Sequence, residues 1–224
     1  VSFAALLQWV SPALPVGGFT WSRGLETAVE RGLVRDARST RAWIEGLARH
    51  LVERVDAPLV ARAHDAMARG DHAALAASSW RGYALRETAE LRAESRATAR
   101  ALLRLAVDLE VLDRARFDDP TWEALSSCQL ASFGTIAHAL GLGRQDALRG
   151  YVWTWLESSV TAAVKLVPLG QTDGQRVLRD LGRDLDALVD RALAIDDEDV
   201  GALAHGFAIV SALHETQHTR LFRS

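Results

Sequence analysis

An all-α fold is what this chain predicts, and three observations predict it. Ala, Leu and Arg dominate, and all three favour helix. β-branched residues rarely alternate with polar ones, so the period-two signature of a strand is missing. Gly, Pro and Asp recur in short clusters that suit helix ends. The expected architecture is a single-domain multi-helix bundle over residues 1–224, with about eight to ten helices.

Each element has its own signal. A short helix is expected from about Phe3 to Val10, ended by the loop that holds Pro12, Pro15, Gly17 and Gly18. A second runs from about Thr20 to Arg31. A third starts near Ser39 and should kink or break at Asp56-Ala57-Pro58, because proline lacks the N–H that the helix needs. Helix then continues to Gly70, and Asp71 reads as the N-cap of the next one. One long helix is expected from about Arg81 to Asp113, its charge alternation (Arg86, Glu87, Glu90, Arg92, Glu94, Arg96, Arg100, Arg104) marking a solvated face. Asp118-Asp119-Pro120 starts another, to about Leu140, with no acid or basic Arg after Glu123. Its many small residues, Gly134 among them, predict close packing on several sides and a central place. Gly141-Leu142-Gly143 ends it as a C-cap rather than a nucleotide-binding turn, since no strand precedes it. Helices follow over Arg144–Val167 and Thr172–Ala194, then the acidic loop Asp196–Asp199 and a final apolar helix from about Ala202 to Leu213.

Composition bounds the function. A net charge of −3 gives no support for bulk binding to nucleic acid. The single cysteine, Cys128, excludes an internal disulfide framework and suits a reducing cytosol; in its apolar surroundings it reads as a core residue rather than a nucleophile. Residues 1–22 are uncharged, but no basic segment precedes the apolar part and the prolines and glycines break it, so neither a signal peptide nor a membrane span is expected. The chain begins with Val1, which suggests a processed or trimmed terminus. No phosphate-binding G-x-x-x-x-G-K-[ST] run occurs, and His50, His64, His72 and His138 are too scattered to propose a site.

One catalytic pattern needs weighing. His214-Glu215-Thr216-Gln217-His218 has the H-E-x-x-H form, which on a helix would place two imidazoles one turn apart with a carboxylate as general base. A zinc-dependent hydrolase using these residues is the alternative reading. It lacks a third ligand, because the six residues after His218 include no His, Glu, Asp or Cys.

Two other stretches stand out. Lys165 is the only lysine, in the last turn of its helix, where a cation favours the helix dipole. It precedes Pro168-Leu169-Gly170-Gln171-Thr172-Asp173-Gly174-Gln175, a helix junction in which Thr172 and Gln175 have capping-box spacing. Capping alone does not require two glutamines and two glycines. The tail Thr219–Ser224 sets Leu221 and Phe222 between Arg220 and Arg223 at a chain end, where no helix of its own can form. Its apolar residues need a cover, either this domain or a partner, and the partner is the expectation, with no internal role for the tail.

Three pieces together resemble the UreF family of urease accessory proteins: Leu6–Glu26, Ala162–Gln175 and His214–Ser224. They bracket the chain, while residues 30–130 are similar only in helical character. His218 departs from the family, where an aromatic such as Tyr is expected. The resemblance implies an all-α cytoplasmic homodimer that is not an enzyme and holds no cofactor. It implies partners as well: UreD (also called UreH), the GTPase UreG, and apo-urease as the recipient of nickel. Carried onto this chain, the GTPase side takes Lys165, Pro168, Gly170, Gln171, Asp173 and Gln175. The UreD side takes Arg220, Leu221, Phe222 and Arg223. The N-terminal motif comprises Pro12, Pro15, Gly17, Phe19, Gly24, Leu25 and Glu26.

Overall fold

The computed structural model describes residues 3–201 and 204–222, apart from the side chain of Phe19. Twelve α-helical segments are labelled in chain order. They are α1 (Phe3–Trp9), α2 (Leu25–Glu30), α3 (Ala37–Leu47), α4 (Ala57–Arg69), α5 (His72–Ala84) and α6 (Ala89–Asp108). Then come α7 (Asp119–Ser127), α8 (Gln129–Ala139), α9 (Arg144–Leu166), α10 (Gln171–Gly182), α11 (Leu185–Leu193) and α12 (His205–His214). No strand occurs among the described residues, so the all-α expectation holds.

Pro58 does not break its helix. A π-helical stretch, Ala48–Asp56, carries α3 into α4 without a gap, and the Ala57 N–H reaches back five residues to the Val52 carbonyl. Proline cannot donate to Arg54 four residues earlier. The Arg54 carbonyl instead accepts from the Gly201 N–H at 3.3 Å. The missing donor is thus replaced from another part of the chain.

Three predicted helices are each split. The expected Arg81–Asp113 helix breaks at residues 85–88, where Arg86 turns inward and Thr88 caps α6 through the Leu91 N–H. Arg86 and Glu94 are therefore not on a solvated face; they are 5% and 2% exposed. Arg86 donates to Asp56 at 2.7 Å, Tyr151 donates to the other Asp56 oxygen at 2.7 Å, and Glu94 accepts from Arg23 at 2.8 Å. Burial is the largest single effect and would lower the Arg86 guanidinium, but the Asp56 carboxylate, together with Tyr151 and Cys128 beside it, raises it. The expected 120–140 helix breaks at Cys128, whose extended backbone interrupts the ladder. Ser95 repairs that break, donating to the Ser127 carbonyl at 3.0 Å and accepting from the Gln129 N–H at 3.3 Å. The third split falls between α10 and α11, at Arg183 and Asp184.

The core gathers around α8, which packs against α4, α5, α6 and α9 and is buried from Leu130 to Ala137. Gly134 lets it touch α4, since a Cβ there would collide with the Val60 carbonyl. Cys128 is fully buried, and burial pushes its thiol up. Asp71 caps α5 as expected, accepting from the Ala74 N–H at 2.9 Å. A second, smaller cluster unites Leu25, Ala28, Val34, Ala162, Ala163, Val167, Val210 and Phe222. It joins α2, the end of α9, α12 and the tail. No helix among the described residues is long and apolar enough to cross a membrane.

Candidate functional site

The site grows from the end of α9. Pro168 stops this helix, and Val167 is already extended. Lys165, Pro168, Gly170, Gln171 and Gln175 are all exposed around the junction, with Asp173 half-buried. The Thr172–Gln175 capping box does not form. Helix α10 starts earlier, at Gln171, and Gly170 is its N-cap with no side-chain cap bond. Packing sets this register. Gly174, Val177, Leu178 and Leu181 form the buried stripe, and a Cβ on Gly174 would lie 2.6 Å from Val164 Cγ2. Asp173 instead pairs with Arg176 at 2.7 Å, in the first turn where an acid suits the dipole.

The tail has an internal role, contrary to expectation. Glu26 Oε1 accepts from the Leu221 N–H at 2.6 Å and Glu26 Oε2 from the Phe222 N–H at 3.0 Å. Arg220 donates to Glu90 at 2.7 Å and to the carbonyls of Gln217 and Glu215. The Phe222 ring is 7% exposed within the second cluster. Leu221, at 66% exposed, is the apolar tail residue left outside. Arg223 lies outside the described residues.

The H-E-x-x-H residues do structural work. His214 is fully buried, its Nδ1 2.7 Å from Glu90 and its Nε2 3.3 Å from Glu26. Glu215 accepts from the Ala89 N–H at 2.8 Å, covering a free donor at the start of α6. Helix α12 ends at His214, so exposed His218 is not one helical turn away on the same face. Among the described residues no three His, Cys, Asp or Glu side chains are grouped to hold a metal ion.

Tail and junction meet. Lys165 Nζ lies 5.7 Å from the centroid of the Phe222 ring, within cation–π range. The N-terminal motif adjoins them through three residues. Gly24 has a positive φ of 75° and sits so close to α12 that a Cβ would be 3.2 Å from the Ser211 nitrogen. Leu25 joins the second cluster, and Glu26 holds the tail. Pro12, Pro15 and Gly17 are elsewhere, on the exposed loop before α2. Phe19 lies in a short 3-10 turn, Gly18–Thr20.

The three pieces that were separate in sequence thus converge. The UreF family model matches residues 34–182. A urease accessory protein UreF from Alcanivorax borkumensis is 41% identical over the whole chain and 98% of its own length. Another from Azoarcus sp. is 45% identical over 98% of this chain and 94% of its own. The chain belongs to the UreF family. Urease accessory protein is therefore the broad function. Sequence reasoning missed Glu26, Glu90 and His214 as a cluster in this UreF-family chain. In the sequence Glu26 is only a motif residue, and nothing in local spacing pairs it with residues nearly two hundred positions later.

Proposed function

We propose that this chain is a non-catalytic cytoplasmic scaffold, acting as a homodimer and as one domain over residues 1–224. It joins UreD/UreH to the GTPase UreG and regulates GTP-dependent delivery of nickel, its cargo, to apo-urease. The contact of Lys165 with Phe222 carries this reading, because it makes the two partner-facing stretches neighbours. Lys165 and the exposed glutamines offer the GTPase side an ammonium and amides that make no ion pair or side-chain hydrogen bond among the described residues. The tail offers the UreD side exposed Leu221 on a backbone held by Glu26 and Arg220. A pre-ordered tail loses less entropy on binding than a free one.

Reconstitution of urease from purified components tests this. Lys165→Ala should cost no more than the roughly 0.5–1 kcal/mol of its contact with Phe222 and leave the UreD complex formed, but impair GTP-dependent activation. Gln171→Ala and Gln175→Ala should impair it with melting almost unchanged. His218→Tyr should activate normally. Normal activation by folded Lys165→Ala protein would remove the GTPase-side reading.

A further inference from the structure

A furrow of about 110 Å³ runs between α9 and α10, beside the junction. Val160, Val164 and Leu178 line it, and the absence of a side chain at Gly174 lets α10 sit against Val164. Beside the Thr161 hydroxyl, four larger polar groups line it: Glu157 and Lys165 from α9, Gln171 and Gln175 from α10. None of the four has a hydrogen bond or ion pair within the described protein, although Lys165 contacts the Phe222 ring. The neighbouring Asp173 and Arg176 satisfy each other, as do most charged groups on this face.

Glu157 is the least comfortable of the four. It is half-buried, burial pushes its carboxyl up, and no cation opposes that effect. Glu87 is also raised by burial, but His205 and Arg86 counter it. An uncompensated carboxylate costs stability in the free protein and gains from a cation brought by a partner.

Spacing narrows what fits. Glu157 and Lys165 are eight residues apart on α9, hence on one face and separated by roughly 12 Å. An extended chain covers about 13 Å in four residues and turns every second side chain to the same side. Its positions i, i+2 and i+4 would then meet Glu157, the apolar floor and Lys165. A helix could span the same distance with eight residues, but its backbone groups are already paired and would leave the two glutamine amides unused.

We infer that the furrow binds an extended segment of the GTPase partner reading basic-x-apolar-x-acidic, in either chain direction, with its backbone held by Gln171 and Gln175. This rests on the GTPase-side reading above and adds Glu157 as a determinant of partner choice.

The test is binding of the purified GTPase, loaded with GTP and Mg²⁺, to the full chain by calorimetry, with a melting curve and sedimentation for every variant. Glu157→Gln removes the unpaired charge, so it should melt no lower than the parent. It should still bind about tenfold more weakly, the loss of one charge-assisted bond. Glu157→Arg should bind more weakly again, and the double variant Gln171→Ala with Gln175→Ala should also lose affinity. Unchanged affinity in Glu157→Gln, beside a loss in Lys165→Ala, overturns the furrow and leaves the GTPase-side reading standing. Unchanged affinity in both overturns both. If Glu157→Arg alters only the sedimenting mass, the furrow is a contact between copies of this chain and the inference fails.

Discussion

Replacing Phe222 with Ala tests whether the tail belongs to the fold. In a closed core, Phe→Ala costs about 3–5 kcal/mol, including the cavity left behind. The tail is a chain end and can detach, so the loss cannot exceed what docking contributes. Burial of the ring supplies about 1.5–3 kcal/mol. The Lys165 ammonium over the ring adds about 0.5–1 kcal/mol. A loss of about 2–4 kcal/mol is therefore expected, which for a chain of this size lowers the melting temperature by roughly 4–16 °C. Urea denaturation followed by circular dichroism measures it. Hydrogen exchange locates it, because the Leu221 and Phe222 amides donate to Glu26 and should lose protection together. Leu221→Ala is the control. This side chain is 66% exposed, so its truncation should fall within about 0.5 kcal/mol of the parent. A Phe222→Ala protein as stable as the Leu221→Ala one, with both amides still protected, would refute the seating of the ring.

Other outcomes follow from the same packing. Asp56→Ala leaves Arg86 buried without its carboxylate and should cost about 3–5 kcal/mol in urea titration. Gly24→Ala forces a Cβ into a left-handed backbone against Ser211, and should destabilise by more than about 1 kcal/mol with loss of tail protection. Cys128 should react with a thiol reagent only as the protein unfolds, since burial both hides the thiol and pushes it up. A bond from Arg62 leads the interactions that hold the Asp197 carboxyl below its ordinary value. The stabilisation is therefore present above the ordinary carboxylate range and lost as pH falls through the lowered value. Carboxyl NMR should show Asp197 titrating later on acidification than in Arg62→Ala.

Much of the fold is legible in the residues themselves. Helix is chosen locally, by propensity and by the period of the apolar positions, so the all-α class and the central place of α8 follow from sequence. Caps such as Asp71 are legible for the same reason, because the acceptor and its N–H are three residues apart. The breaks at Cys128 and at residues 85–88 are not. Each is made good by a distant group: Ser95 satisfies the first, and Asp56 draws Arg86 inward at the second. The π-helical passage through Pro58 likewise depends on Gly201 to take the freed carbonyl. The candidate site divides in the same way. Lys165, the Gly-Gln junction and the Arg-Leu-Phe tail are visible as local oddities, but their meeting is tertiary. Only the folded chain sets Glu26 beneath the tail, buries His214 between two carboxylates and brings Lys165 over Phe222. Helix formation needs only neighbours in sequence, whereas pairing a buried carboxylate needs whichever donors the packing of α2, α6 and α12 brings to it.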